Sequence, residues 1–241
     1  MIISSIVIIL MLILCKFLIR NEKKKDIVLK ISAVLTVILH YSTLYVDFFK
    51  TGSAEIASPM ILPEYPCNIA MWLLLIVAFY KNKKSKVYKV LSEVTFYLGI
   101  VGGIFGVMLN EIYASTPSLV DWDVLNGLLS HVTMLFGCIY LLVGKQIKIC
   151  VSNVISIIFG LIFMFVDGWI IIGLYRLFKL DPPNCMFLLE PPIPALPWFN
   201  TYVIGIIAIV LFFSITAIYE QIALKKEERW YTKLKNRRKK L

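Results

Sequence analysis

From Phe199 to Tyr219 the chain runs through 21 residues without a single charge. A helix of that length is about 31 Å long, the thickness of the hydrocarbon core of a bilayer. A helix apolar on every side must be enclosed all round, and in a chain of 241 residues the solvent that does this is lipid. Six further apolar segments of similar character precede it, giving seven expected spans at roughly 2–19, 27–49, 64–80, 88–110, 124–143, 149–175 and 199–222. Only 17% of residues are charged, against about 25% in a soluble domain, and they cluster between the apolar segments. The expected fold is an all-α, polytopic membrane bundle of about seven transmembrane helices.

The loops alternate in charge. Arg20, Lys23, Lys24 and Lys25 follow the first span, Lys81, Lys83, Lys84 and Lys86 the third, and Lys145 and Lys148 the fifth. The intervening loops carry Lys50, then no basic residue, then Arg176 and Lys179. Basic loops stay cytoplasmic, so this alternation predicts the N-terminus outside and the C-terminus inside. The first apolar segment lacks a basic region before it and a small-residue cleavage site after it, and it reads as a retained span rather than a signal peptide. The chain then divides into a membrane domain, residues 1–223, and a juxtamembrane tail, 224–241. Nine Lys or Arg lie in that tail between Lys225 and Lys240, close to Trp230 and Tyr231. Such a tail attracts anionic lipid headgroups, and the net charge of +10 reflects topology rather than nucleic-acid binding. Five cysteines on separate segments form no CxxC pair, and the sequence carries no metal or cofactor motif.

Polar residues inside the spans carry the functional signal. Ser32, Thr36, His40, Thr43 and Asp47 share one face of the second span. Hydrogen bonding between helices accounts for Ser32 and Thr36; His40 is ionisable and marks a site. In the fourth span Ser92, Thr95, Gly99, Gly103 and Gly106 form a ridge of small residues, with Gly102 beside it and Asn110 at its end. Close helix packing is its expected role. The fifth span carries Asn126, Ser130, His131 and Thr133, and the sixth carries Asn153, Ser156, Gly160 and Asp167.

The third span begins Pro63-Glu-Tyr-Pro-Cys-Asn68. Pro66 suits the first position of a helix, which places Cys67 and Asn68 in the first turn, at the positive end of the helix dipole. A thiol there ionises more readily than usual. With the predicted topology, His40, Cys67, His131 and Asp167 share the outer half of the bilayer on four different helices. A thiol with an imidazole in reach is the arrangement of a Cys–His nucleophile for ester or thioester carbonyls. Cys67 would attack, His131 would take the proton, Asn68 or first-turn N–H groups would hold the oxyanion, and Asp167 would orient a histidine. A disulfide between Cys67 and Cys185 is the competing expectation. The proline-rich stretch from Asp181 to Trp198 is expected to pack over the outer mouth.

Leu62-Pro-Glu-Tyr-Pro-Cys-Asn-Ile-Ala-Met71, the helix of His131, and Asn184-Cys-Met-Phe-Leu-Leu-Glu-Pro-Pro192 followed by Pro-Trp-Phe resemble the YwaF-like bacterial integral membrane proteins. The resemblance covers spans two to seven. That family usually has histidine at the position of Tyr65 and Asn-Tyr at Asn184-Cys185. Distant animal relatives include a transmembrane acyltransferase that acts on ether phospholipids through a cysteine, and more remote members, the androgen-induced membrane hydrolases, use a threonine and a histidine. The resemblance implies Cys67 as nucleophile, His131 as base, a membrane lipid as substrate and a bacterial cytoplasmic membrane as the location. Two other functions stay open on the residues alone. One is a binding or transport protein for a small solute or proton, whose polar path would continue inward through Ser92, Glu93, Asn153 and Ser156; the other is a membrane partner subunit without chemistry.

Overall fold

A computed structural model describes residues 2–52, 62–108, 118 and 120–238. Among these the regular structure is entirely helical. Seven apolar helices stand where the apolar segments predict them: α1 Ile2–Leu18, α2 Glu22–Thr51, α3 Pro66–Phe79, α4 Lys86–Met108, α5 Trp122–Val143, α6 Val154–Leu177 and α7 Thr201–Ala223. An eighth, α8, Trp230–Arg238, lies in the basic tail, where no helix was expected. Five of them, α2, α4, α5, α6 and α7, are long and apolar enough to cross a membrane. α1 and α3 are shorter; the 14 residues of α3 reach only about 21 Å. The expected third span is therefore shorter than a bilayer core, because the helix starts at Pro66 and already ends at Phe79, where Tyr80 turns to an extended conformation. Asn110 lies outside the described residues, as do the side chains of Asp47 and Ser156.

Local chemistry sets the helix ends. Asn21 caps α2 by accepting the Lys23 N–H at 2.8 Å, and Gly52, in the left-handed region at φ 74°, ends it with its N–H on the Phe48 carbonyl. Tyr65 leads into α3 with Pro66 at the first helical position, and Asn68 Oδ1 reaches back to accept the Tyr65 N–H at 3.2 Å. Asn200 Oδ1 accepts from Tyr202 and Val203 at the start of α7.

Helices α2, α3, α4 and α5 pack closely together, while α6 and α7 lean against α4 and each other more loosely. The α2–α5 seam is polar. The hydroxyls of Thr36 and Thr133 lie 3.1 Å apart, Asn126 Nδ2 donates to Thr43 Oγ1, and Trp122 Nε1 donates to Ser42 Oγ at 3.1 Å. Thr36 thus makes the expected bond between helices, whereas the Ser32 hydroxyl donates to the Leu29 carbonyl of its own helix at 3.0 Å and only packs against Gly137 of α5. The α4 ridge is a packing seam too. A Cβ at Gly99 would overlap Cys138, one at Gly103 would meet Leu135, one at Gly102 would lie 2.7 Å from the backbone nitrogen of Cys67, and one at Gly106 would overlap the His131 ring. Two of these close approaches thus bring α4 against the candidate site residues.

At the opposite end of the bundle two carboxylates join the helices. Glu220, fully buried on α7, accepts the N–H of Val151 at 2.6 Å and that of Trp230 at 3.0 Å. It holds the start of the α6 segment and the start of α8 against the end of α7. Glu93, also buried, accepts from Asn153 Nδ2 at 2.6 Å. Asp26 at the foot of α2 pairs with Lys30 and with Lys83 of the α3–α4 loop.

Candidate functional site

A cavity of about 540 Å³ occupies the crevice between the α2–α5 core and the α6–α7 pair. His40 on α2, Cys67 and Asn68 in the first turn of α3, and His131 on α5 all line it. The rest of its wall is mainly apolar and includes Val101, Phe105, Leu161, Met164, Ile204 and Ala208. Its volume falls within the range of small-molecule sites. A second, smaller chamber of about 30 Å³ is lined by the same four residues, together with Thr36, Met71, Ser130 and Met134. His40, Cys67, Asn68 and His131 therefore stand at the boundary between an apolar cavity and a small chamber.

The geometry of each residue follows from its helix. Cys67 is the second residue of α3, where its N–H has no carbonyl one turn earlier to bond. Its sulphur lies 4.0 Å from Asn68 Oδ1. Asn68 uses that oxygen to cap Tyr65, so its first task is to fix the helix start that presents the thiol. His131 Nδ1 lies 2.7 Å from the Gly127 carbonyl oxygen. A carbonyl can only accept, so Nδ1 carries a proton, and in the neutral ring Nε2 keeps its lone pair. Nε2 is also the nitrogen packed against Gly106. Gly102 and Gly106 are one helical turn apart on α4, about 6 Å of rise, and they receive Cys67 and His131 respectively.

Asp167 stands apart from this group. It is half-buried, does not line either cavity, and lies near the Cys185 thiol, on which its charge acts. The partner of His131 Nδ1 is a backbone carbonyl, and Asp167 does not fill that role. Cys67 and Cys185 are both free thiols, which answers the disulfide expectation. Burial pushes the Cys185 thiol up to about 12, and the carboxylates of Glu64 and Asp167 add to the same effect.

The proline-rich segment closes over the cavity as expected, with Met186, Phe187 and Pro192 in its wall. Met186 donates its N–H to the Glu64 carbonyl at 2.9 Å, and the rings of Tyr65 and Phe187 sit 5.6 Å apart. These contacts fasten the segment to the start of α3. Met186 and Phe187 both adopt positive φ, 51° and 57°, a conformation that costs a non-glycine residue energy and collects at functional sites. Nothing in the sequence marked this strain. Glu64, 1% exposed, and Thr201, which lines the cavity, were also missed. Glu64 had a visible signal, an acid between the prolines of the Cys67 motif. Among the described residues there is no group of three or more His, Cys, Asp or Glu side chains placed to hold a metal ion.

Comparison with curated proteins and with solved structures returns no match for the chain. The family model of the TMEM164 family, a family of membrane proteins, matches residues 1–219 and so takes in every residue of the cavity wall, and on that match this multi-pass membrane protein belongs to the TMEM164 family.

Proposed function

We propose that the protein is a membrane enzyme that transfers or hydrolyses an acyl group of a membrane lipid, with Cys67 as nucleophile and His131 as general base. The observation that carries this reading is the shared position of Cys67 and His131 on the wall of one mainly apolar cavity of about 540 Å³, with the Nδ1–Gly127 hydrogen bond leaving Nε2 of the neutral ring with the free lone pair. The Cys67 sulphur attacks the ester carbonyl carbon while Nε2 takes the thiol proton. The carbonyl oxygen becomes an oxyanion at the start of α3, where the Cys67 N–H and the helix dipole favour negative charge. The C–O bond then breaks, Nε2 returns the proton to the leaving alcohol, and the acyl group stays on Cys67 as a thioester. A second alcohol, or water, takes it off by the reverse sequence. His40 borders the reacting centre and supports its polarity, Asn68 holds the helix start, and Asp167 acts at the level of the Cys185 segment.

The same reading takes all seven apolar helices as spans, with the N-terminus outside, in the cytoplasmic membrane of a bacterium, as the YwaF-like motifs around Cys67 and Asn184 imply. The basic tail then meets anionic headgroups on the inner surface. A transport path is supported less well, because the inner polar residues are engaged in holding helices together: Glu93 with Asn153, and Glu220 with the backbone of Val151 and Trp230.

The test is labelling of the purified full-length protein with an alkyne-tagged 2-bromopalmitate, comparing wild type with Cys67→Ala and His131→Ala. The expected result is labelling that is abolished by the first substitution and slowed by about 10²- to 10⁴-fold by the second, the usual contribution of a general base. Labelling indifferent to His131 overturns the enzyme reading and leaves the cavity as a binding site.

A further inference from the structure

The small chamber extends from the reacting groups to residues one helical turn deeper in the core. Thr36 precedes His40 by four residues on α2, Met71 follows Cys67 by four on α3, and Met134 follows His131 by three on α5. Its volume of about 30 Å³ exceeds what a single water requires, roughly 10–15 Å³ by the same measure. Its exposed wall is mainly apolar, like that of the large cavity, and on the α5 side Ser130 and His131 are the polar residues that border it. The Gly127 carbonyl accepts both the Ser130 hydroxyl, at 2.8 Å, and His131 Nδ1, at 2.7 Å. Both of those hydrogens are thereby used, so Ser130 Oγ and His131 Nε2 are left as acceptors. A water molecule brings two hydrogens to donate, and Asn68 and His40 add further polar edges to the same wall.

We infer that this chamber is a water site serving Cys67, and that it determines whether an acyl group on that residue is released by hydrolysis or passed to an alcohol. The inference rests on the acyl-Cys67 reading given above. In the step it assigns, the oxygen of the chamber water attacks the thioester carbonyl carbon as Nε2 takes one of its protons. The C–S bond breaks, Nε2 passes that proton to the Cys67 sulphur, and a free carboxylic acid leaves through the large cavity. Water and acceptor alcohol thus approach the same carbon from different compartments that are set apart by size, one of about 30 Å³ and the other of about 540 Å³.

The experiment uses the full-length protein in detergent, pulsed with the palmitoyl thioester of N-acetylcysteamine. Intact mass reports acyl-Cys67, and released palmitate is measured in parallel. Ser130→Val removes an acceptor and fills the chamber from α5, and Met134→Phe fills it from a neighbouring position. The ratio of hydrolysis to acylation is expected to fall by at least about tenfold in both variants, since each denies the base its water. Lysophosphatidylcholine, entering by the large cavity, is expected to restore turnover in both. An unchanged ratio in both variants overturns the inference while leaving the acyl-enzyme in place. A failure of lysophosphatidylcholine to discharge acyl-Cys67 in either variant also overturns it, because it removes the separation of the two routes. If wild type forms no adduct on Cys67, the acyl-enzyme reading itself is overturned and the inference falls with it.

Discussion

Gly106 on α4 and His131 on α5 share a space that admits no side-chain carbon: a Cβ on the glycine would overlap Cδ2 and Nε2 of the imidazole. One turn earlier, a Cβ on Gly102 would stand in the same relation to the backbone of Cys67, 2.7 Å from its nitrogen and 2.8 Å from its Cα. The two glycines set where the thiol and the imidazole meet the cavity.

Gly102→Ala and Gly106→Ala are therefore expected to act differently. At Gly102 the obstacle is backbone, which cannot swing aside, and the start of α3 must move; a loss of about 1–3 kcal/mol of stability is expected. At Gly106 the obstacle is a ring that can rotate, so the fold suffers less and Cys67 labelling more. Gly173→Ala is the control, since nothing lies within 4 Å of that position and the helix gains up to about 1 kcal/mol in propensity. Thermal melting in detergent, paired with the labelling assay, separates the three.

Glu220 makes a second prediction. Glu220→Ala leaves the N–H groups of Val151 and Trp230 without their acceptor, at about 1–3 kcal/mol each. Glu220→Gln keeps one oxygen and is expected to lose about half as much. Limited trypsin digestion checks the local consequence: cleavage within α8, at Lys233 or Arg237, is expected to accelerate in Glu220→Ala well below its melting temperature.

Cys185 gives a pH prediction. Its folded-state value of about 12 lies above the ordinary thiol value of about 8.5. An unfolded chain therefore releases this proton first as pH rises, so the stability contributed by the neutral thiol is intact below about pH 8.5 and is lost on the way to 12. Maleimide modification of Cys185 at pH 9 is expected to be slow in the folded protein and fast after denaturation, read by peptide mass spectrometry. Gels run with and without reductant are expected to coincide, because Cys67 and Cys185 are not bonded.

Lys179 follows α6 in the left-handed region at φ 57°, with its N–H on the Arg176 carbonyl and that of Leu180 on Tyr175. This is a position for glycine. Lys179→Gly is expected to raise stability by about 0.5–1 kcal/mol, the left-handed penalty less glycine's larger unfolded-state entropy. A rise in melting temperature with unchanged Cys67 labelling is the outcome to look for.

Much of the architecture was legible in the chain. Uncharged runs such as Phe199 to Tyr219 require helix, because in lipid each backbone N–H must find its carbonyl within the same segment. Asn21, Pro66, Gly52 and Asn200 mark helix ends through local hydrogen bonding and fixed dihedrals, which depend on a few neighbouring residues. The first turn of α3 was readable for the same reason; of the four residues that the sequence grouped, His40, Cys67 and His131 line one cavity and Asp167 does not. The helix in the basic tail was not readable, since Trp230 to Arg238 carries too little apolar periodicity to announce it and its start is held by Glu220, ten residues away.

The sequence alone determined that this is a helical membrane protein, because a bilayer admits few backbone solutions to so apolar a chain. Only the tertiary structure decided which side chains meet. Rotation of each helix about its axis is fixed by close approaches between distant segments, Gly106 against His131 and Gly102 against Cys67 among them. Those rotations put Asn68 to work as a cap and set Asp167 beside Cys185 instead of a histidine. They also opened two unequal cavities on either side of the same four residues. Spacing along one helix gives a face but not its partner, and the partner is chosen by packing across the whole bundle.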